Sequence, residues 1–165
     1  MLLVKALAEK NPFVKIPVIE AQKALDFHNK VRAEVGTKPL KLSAKLAEYA
    51  QTWADNLAEN NNCQIKHRPH DGVWKQQYGE NIFWGKGNQP EYTPLIASVN
   101  WYNEIENYKY ELLRVDNLAE VGHYTQMIWH NTTEVGFGLA KCKNGAIIIV
   151  ANYNPPGNYI DEKPY

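Results

Sequence analysis

Gly122-His123-Tyr124-Thr125-Gln126-Met127-Ile128-Trp129-His130-Asn131-Thr132-Thr133-Glu134-Val135-Gly136-Phe137-Gly138 is the stretch on which the reading of the fold turns. It puts an ionisable His123 at the head of an apolar run, a placement that suits a site built against a core. Tyr124, Gln126 and Ile128 alternate with Thr125, Met127 and Trp129. That period of two predicts a strand over 124–129, one face packed and the other lining a cavity. His123 then stands at the mouth of the cavity.

Downstream, two further strands are expected over Val135 to Cys142 and Ala146 to Tyr153, with Asn144-Gly145 as the tight hairpin between them. Upstream, helical spacing appears in Ala21, Ala24, Leu25, His28, Val31 and Val35, and Gly36 supplies a stop. Ser43 can cap a second helix carrying Leu46, Ala47, Ala50, Trp53, Ala54 and Leu57, which ends at Asn60-Asn61-Asn62. Thr93-Pro94 is a cap and first-turn pair for a third through Leu95, Val99, Tyr102 and Ile105. Between them lie loops with His67 and His70 and a short strand at Ile82-Phe83-Trp84. Helices followed by a run of strands define an α+β class. Residues 1–18, with Pro12 and Pro17 and little periodicity, read as an extended arm before a single domain over 19–165.

A chain of 165 residues, 44% of them hydrophobic, can bury one sizeable core. Eighteen basic residues balance eighteen acidic ones and form no basic run, so nothing points to nucleic acid as a partner. No apolar run is long enough for a transmembrane segment. The first ten residues are interrupted by Lys5 and Glu9 and do not form a signal peptide, so the leader of a secreted form is expected to lie outside this chain. Leu2 excludes an N-myristoyl anchor. Two cysteines, Cys63 and Cys142, are either one disulfide or two buried thiols, and composition leaves both open.

Four strings together carry a resemblance. Gly79-Glu80-Asn81, Trp101-Tyr102-Asn103-Glu104, Gly122-His123-Tyr124-Thr125-Gln126 and the closing stretch from Ile148 to Tyr159 resemble the CAP superfamily, and within it the pathogenesis-related 1 proteins. The resemblance covers about Ala21 to Tyr165. It implies a three-layer α-β-α sandwich with a central, mainly antiparallel sheet. It also implies that Cys63 and Cys142 pair, because they match positions bridged in the plant members, whereas other family cysteine positions read Val121, Phe137 and Ala151 here. A disulfide in turn implies an oxidising compartment, extracellular or periplasmic.

The resemblance further groups His67, Glu80, Glu104 and His123 as the residues of a cavity able to take a divalent cation. Zn²⁺ is the first choice because imidazole ligates it directly and carboxylates orient the rings, with Mg²⁺ or Ca²⁺ as alternatives. No local metal spacing joins the four. Arg68 stands where the family commonly has Ser, and His70 competes with His67. Family members that bind sterols or fatty acids imply a small apolar ligand, for which Trp74, Tyr78 and Tyr92 are the candidate contacts. A metal-dependent hydrolase using Glu80 or Glu104 is the alternative, although no nucleophile with a partnered base appears in the motifs. The terminal run from Pro155 to Tyr165 resembles a peptide that plant members release as a signal; its Pro and Gly content otherwise predicts a tail wrapped over the sheet.

Overall fold

The computed structural model describes residues 15–87 and 91–165. Residues 1–14 of the expected arm lie outside the described residues, and a helix already opens at Val18. This helix, α1, spans Val18–Glu34 and gives way to Gly36 at φ +73°, a left-handed conformation that glycine adopts without a Cβ clash. Helix α2 spans Ala44–Asn60, its first turn capped by the Ser43 hydroxyl, which accepts from Leu46 N at 3.4 Å. Helix α3, Pro94–Tyr102, is capped by Thr93 and runs into a 3₁₀ turn over Asn103–Asn107.

The segment read as the first strand of the closing run is instead the end of a helix, α4, spanning Val115–Ile128. The alternation misled because every side chain from Tyr124 to Trp129 is buried, so period two sorted residues that share no exposed face. The spacing that governs begins earlier, in Leu118, Val121, Thr125 and Ile128, within a stretch whose polar residues disguised it as a connection. His123 therefore projects from a helix, one turn from its end.

The sheet has four strands in the order β1-β3-β4-β2, with β1 Lys41–Leu42, β2 Gly79–Gly85, β3 Glu134–Lys141 and β4 Ile147–Asn154. The short β1, absent from the sequence reading, pairs parallel with β3, and the other two ladders are antiparallel. The expected hairpin is present, closed by Cys142 N donating to Ala146 O at 2.8 Å. Strand β4 is buried on both faces. Ile148 and Val150 join the cluster under α2 with Trp53, Leu57 and Ile82, while Ile149, Ala151 and Tyr153 join the cluster under α1, α3 and α4 with Leu25, Trp101 and Met127. This is the expected α-β-α sandwich. Its α2 layer lies directly on β3, because a Cβ on Gly136 would come within 2.2 Å of Ala47 N and one on Gly138 within 2.3 Å of Gln51 N.

Cys63, just beyond α2, is bonded to Cys142 at the base of the hairpin. The bridge ties the outer helix layer to the sheet inside the α2-side cluster, where each cysteine is buried.

On the other face, His28 is buried and makes two hydrogen bonds whose directions are fixed. A carbonyl only accepts, so Nδ1–H donates to Ala24 O at 2.8 Å; Nε2 must then accept from the Tyr153 hydroxyl at 2.8 Å. Tyr153 in turn accepts from Asn81 Nδ2 at 3.3 Å, and Asn81 Nδ2 also donates to His123 O at 3.0 Å. A buried chain thus joins the core to the backbone of the helix bearing His123.

Burial lowers the His28 pKa to about 4, the charge of Arg32 adding to the effect and the Ala24 bond opposing it. The unfolded chain takes up this proton near pH 6.5, so between pH 6.5 and 4 it binds more protons than the folded one, and stability falls on acidification. We expect a loss of about 3 kcal/mol across that window, at about 1.4 kcal/mol per pH unit. Urea unfolding at several pH values checks it: His28→Gln should start less stable but show a flatter profile. An unchanged slope in the variant would mean that other groups carry the acid sensitivity.

Candidate functional site

Two histidine–carboxylate pairs meet one cleft through their imidazoles. His67 lies in the loop between α2 and β2, and its Nδ1 is 2.9 Å from Oε1 of Glu80, the second residue of β2. His123 on α4 has its Nδ1 2.5 Å from Oε1 of Glu104 in the 3₁₀ turn. A carboxylate only accepts, so each ring places a proton on Nδ1, and its neutral form presents Nε2 as a lone pair. The Glu80 carboxylate is fully buried while His67 is half exposed. The carboxylates therefore stand behind the rings rather than beside them.

Each carboxylate accepts three hydrogen bonds from the protein, with both of its oxygens engaged. Glu80 Oε1 also accepts from Arg68 N at 3.1 Å and Oε2 from Asn152 Nδ2 at 3.3 Å. Glu104 Oε2 accepts the backbone N–H of His123 at 2.8 Å and of Tyr124 at 3.0 Å. The indole of Trp101 stacks on the His123 ring, with centroids 6.2 Å apart. Each ring is thus held by a carboxylate and its carrier backbone.

His67, Glu80 and His123 line a cleft of about 510 Å³, together with Arg68, His70 and Asn158. Glu104 reaches it through His123. Among the described residues, no three His, Cys, Asp or Glu side chains converge as direct ligands of a metal ion. The donor chemistry nonetheless fits a cation held by two imidazole Nε2 atoms and completed by water, each ring oriented by an outer carboxylate, the usual arrangement behind a zinc-bound histidine.

Arg68 follows His67 and turns away from the cleft mouth. Its guanidinium is buried over the rings of Tyr49, Trp53 and Trp74, at 3.8, 5.0 and 5.3 Å, with Nε 3.8 Å from Glu80 Oε2. Burial lowers its pKa from the ordinary value, the charges of Tyr49 and Glu80 opposing the shift. It places a positive charge beside the buried carboxylate and locks the His67 loop onto α2.

None of the three aromatic candidates lines the cleft. Trp74 packs on Trp53 and borders a smaller cleft of about 210 Å³ with Asn56, Lys66 and Pro69. Tyr78 meets Tyr49 edge to face, and Tyr92 packs on Phe83 and donates to Lys86 O. Sequence reasoning passed over Asn81 and Asn158 as site residues. Both lie inside recognised strings, Gly79-Glu80-Asn81 and the closing stretch from Ile148 to Tyr159, and both were within reach.

The terminal segment does not wrap the sheet as expected. Its hydrogen bonds run to α4, to the turn after it and to the chain before it: Asn158 Nδ2 donates to Gly122 O, His130 N to Pro164 O, Asp161 N to Leu113 O, Leu113 N to Glu162 O, and the Tyr110 hydroxyl to Tyr165 O. No helix among the described residues is long and apolar enough to cross a membrane.

A three-layer sandwich with paired histidines and carboxylates on four separate elements defines the class of the protein, and sequence comparison agrees. Residues 25–153 match the cysteine-rich secretory protein family, CAP, and the chain belongs to that family. It is 39% identical over 144 residues to pathogenesis-related protein 1C of Nicotiana tabacum, covering 87% of this chain and 80% of the relative. It is 36% identical over 145 residues to pathogenesis-related protein 1 of Arabidopsis thaliana, covering 87% and 81%. Among solved structures, BmVAL-1 superposes with a TM-score of 0.73 at 24% identity over 94% of this chain and 86% of its own. NaASP2, solved with Zn²⁺, superposes with a TM-score of 0.70 at 24% identity, covering 87% and 83%.

Proposed function

We propose that this protein is an extracellular CAP-domain binding protein whose His67 and His123 hold a divalent cation through Nε2, with Glu80 and Glu104 as the outer carboxylates. The observation that carries the reading is the pair of Nδ1–carboxylate bonds, which leaves two lone-pair nitrogens on one cleft. Zn²⁺ suits imidazole donors better than Mg²⁺ or Ca²⁺, which prefer oxygen. The Zn²⁺ in the NaASP2 structure is consistent with this choice. The secretory family and the bonded Cys63–Cys142 pair support an extracellular location, and the relatives lend nothing to a periplasmic one.

Binding is favoured over hydrolysis by the state of the carboxylates. A water-activating base needs a free oxygen facing the water, whereas both oxygens of Glu80 and both of Glu104 already accept from protein donors. Among the described residues, no Ser, Thr or Cys lines the cleft. The amides of the lining already donate within the protein, Asn81, Gln126 and Asn158 among them, so the cation on the two imidazoles is the ligand we assign to this cleft. A small sterol or fatty acid would instead be sought beside Trp74.

Calorimetric titration with Zn²⁺ tests the cation. We expect His67→Ala/His123→Ala to weaken binding at least a hundredfold and Glu104→Gln about tenfold to a hundredfold. Acidification should weaken binding too, since a protonated imidazole cannot ligate. Equal affinity in wild type and the double variant would refute the assignment. Zn²⁺-dependent peptide cleavage lost in Glu104→Gln would restore the hydrolase reading.

A further inference from the structure

The smaller cleft of about 210 Å³ opens between α2 and the loop that carries His67, and the cation site makes no use of it. Trp53, Asn56, Asn60 and Asn61 line it from α2 and its C-cap, Lys66 and Trp74 from the loop. Its walls are held in place. Trp53 Nε1 donates to Lys66 O at 2.9 Å, and the Tyr49 hydroxyl donates to Lys75 O at 3.1 Å. Arg68 Nη2 donates to Tyr49 O at 2.7 Å and to Thr52 Oγ1 at 3.1 Å, and the Cys63–Cys142 bond pins the start of the same loop to the sheet.

The amides of the lining are only half used by the protein. Asn60 Nδ2 donates to Asn56 Oδ1 at 3.1 Å, and Asn61 Nδ2 donates to Gln64 O at 3.0 Å. Asn56 thus keeps its NH₂ as a donor, while Asn60 and Asn61 keep their oxygens as acceptors. Among the described residues, no protein group bonds the Lys66 ammonium or the Trp74 indole N–H. The Trp74 ring, packed on Trp53 with centroids 5.5 Å apart, is exposed to solvent.

This set of groups narrows the ligand class. A hydroxyl donates and accepts at once, so neighbouring hydroxyls are matched by an amide donor beside an amide acceptor. The C–H edges of a saturated ring are attracted to the negative face of an indole. No carboxylate lines this cleft to hold a cation, and one lysine is too little for a polyanion. Three amides and an ammonium make it a poor seat for a sterol or an acyl chain, which would bury them unpaired. Its volume lies below the roughly 300 Å³ at which drug-sized sites begin, and leaves room for one ring.

We infer that this second cleft is a carbohydrate site, in which one pyranose unit of a neutral saccharide lies against Trp74 with its hydroxyls bonded to Asn56, Asn60 and Lys66. The site needs no cation and is independent of the His67 and His123 reading.

A ligand of one ring binds in about the millimolar range, so NMR titration suits it better than calorimetry. In ¹⁵N-labelled full-length protein, laminarihexaose, cellohexaose or chitohexaose should saturably shift the Trp74 indole N–H and the Asn56 and Asn60 amide signals, with the Trp129 indole signal unmoved. Asn56→Asp keeps the shape and the bond from Asn60 but removes the donor. It should melt as wild type does and bind about fivefold more weakly. Trp74→Ala should weaken binding roughly tenfold. His123→Ala, in the other cleft, should bind the saccharide as wild type does. A Trp74 signal that none of the three saccharides moves would overturn the inference. Wild-type affinity in both Asn56→Asp and Trp74→Ala, or binding lost in His123→Ala, would overturn it too by placing the saccharide elsewhere. A Trp74 signal moved by palmitate and by no saccharide would return the site to an apolar ligand.

Discussion

Arg32→Met is expected to cost about 4 kcal/mol of folding free energy and to lower the melting temperature on the order of 10 °C. Arg32 is fully buried and, among the described residues, has no carboxylate partner; its guanidinium instead donates to four carbonyls. Nε reaches Lys38 O at 2.6 Å, Nη1 reaches Met127 O and Trp129 O at 2.9 Å each, and Nη2 reaches Thr132 O at 2.9 Å. Three of these acceptors belong to the end of α4 and the turn after it, where free carbonyls gather and a cation is favoured by the helix dipole. Methionine fills much of the volume but leaves four acceptors bare, three of them buried, each worth about 1 kcal/mol. Arg32→Lys should fall between, because an ammonium has three donors and no planar fork. Because α4 carries His123, Zn²⁺ affinity should fall along with stability. A melting temperature in Arg32→Met equal to that of wild type would show that the carbonyls find water or other donors.

Removing the disulfide, as Cys63→Ala/Cys142→Ala, is expected to cost about the same. The cysteines are 79 positions apart, and in the chain-entropy model closing a loop of that length contributes about 4 kcal/mol, a figure whose entropic origin is model-dependent. The double variant should melt on the order of 10 °C lower. Freshly isolated wild-type protein should show no titratable thiol under denaturing, non-reducing conditions, and gentle reduction should bring its unfolding midpoint to that of the variant. Coincident midpoints before reduction would mean that packing in the α2-side cluster, not the bond, ties the hairpin to α2.

Much of this architecture could be read before any coordinates. Caps at Ser43 and Thr93 mark helix starts because a hydroxyl acts on a backbone N–H only three residues away. Asn144-Gly145 marks the hairpin for the same local reason. The 124–129 segment failed the local reading because, with all its side chains buried, polarity no longer reports which face is inside. Strand β1 failed because two residues carry no periodicity; β3 creates it by pairing Lys41 with Glu134 and Leu42 with Val135. At the cleft, Glu80, Glu104 and His123 were legible within recognised strings and His67 through the resemblance, but their pairing was not.

By itself, then, the sequence determined the family, the α+β class, the cysteines available to pair and the four ionisable residues available to a cleft, because each is written in residue types over short spans. Only the tertiary structure decided that the carboxylates stand behind the imidazoles. It also decided that Arg68 faces Glu80 and an aromatic cage, that Trp74, Tyr78 and Tyr92 lie off the cleft, and that Asn158 closes the wall beside His123. These are relations between elements separated by 12 to 36 positions or more, from Arg68 and Glu80 to Gly122 and Asn158. Such contacts exist only once two hydrophobic clusters have packed against the two faces of one sheet and fixed which loops meet at its end.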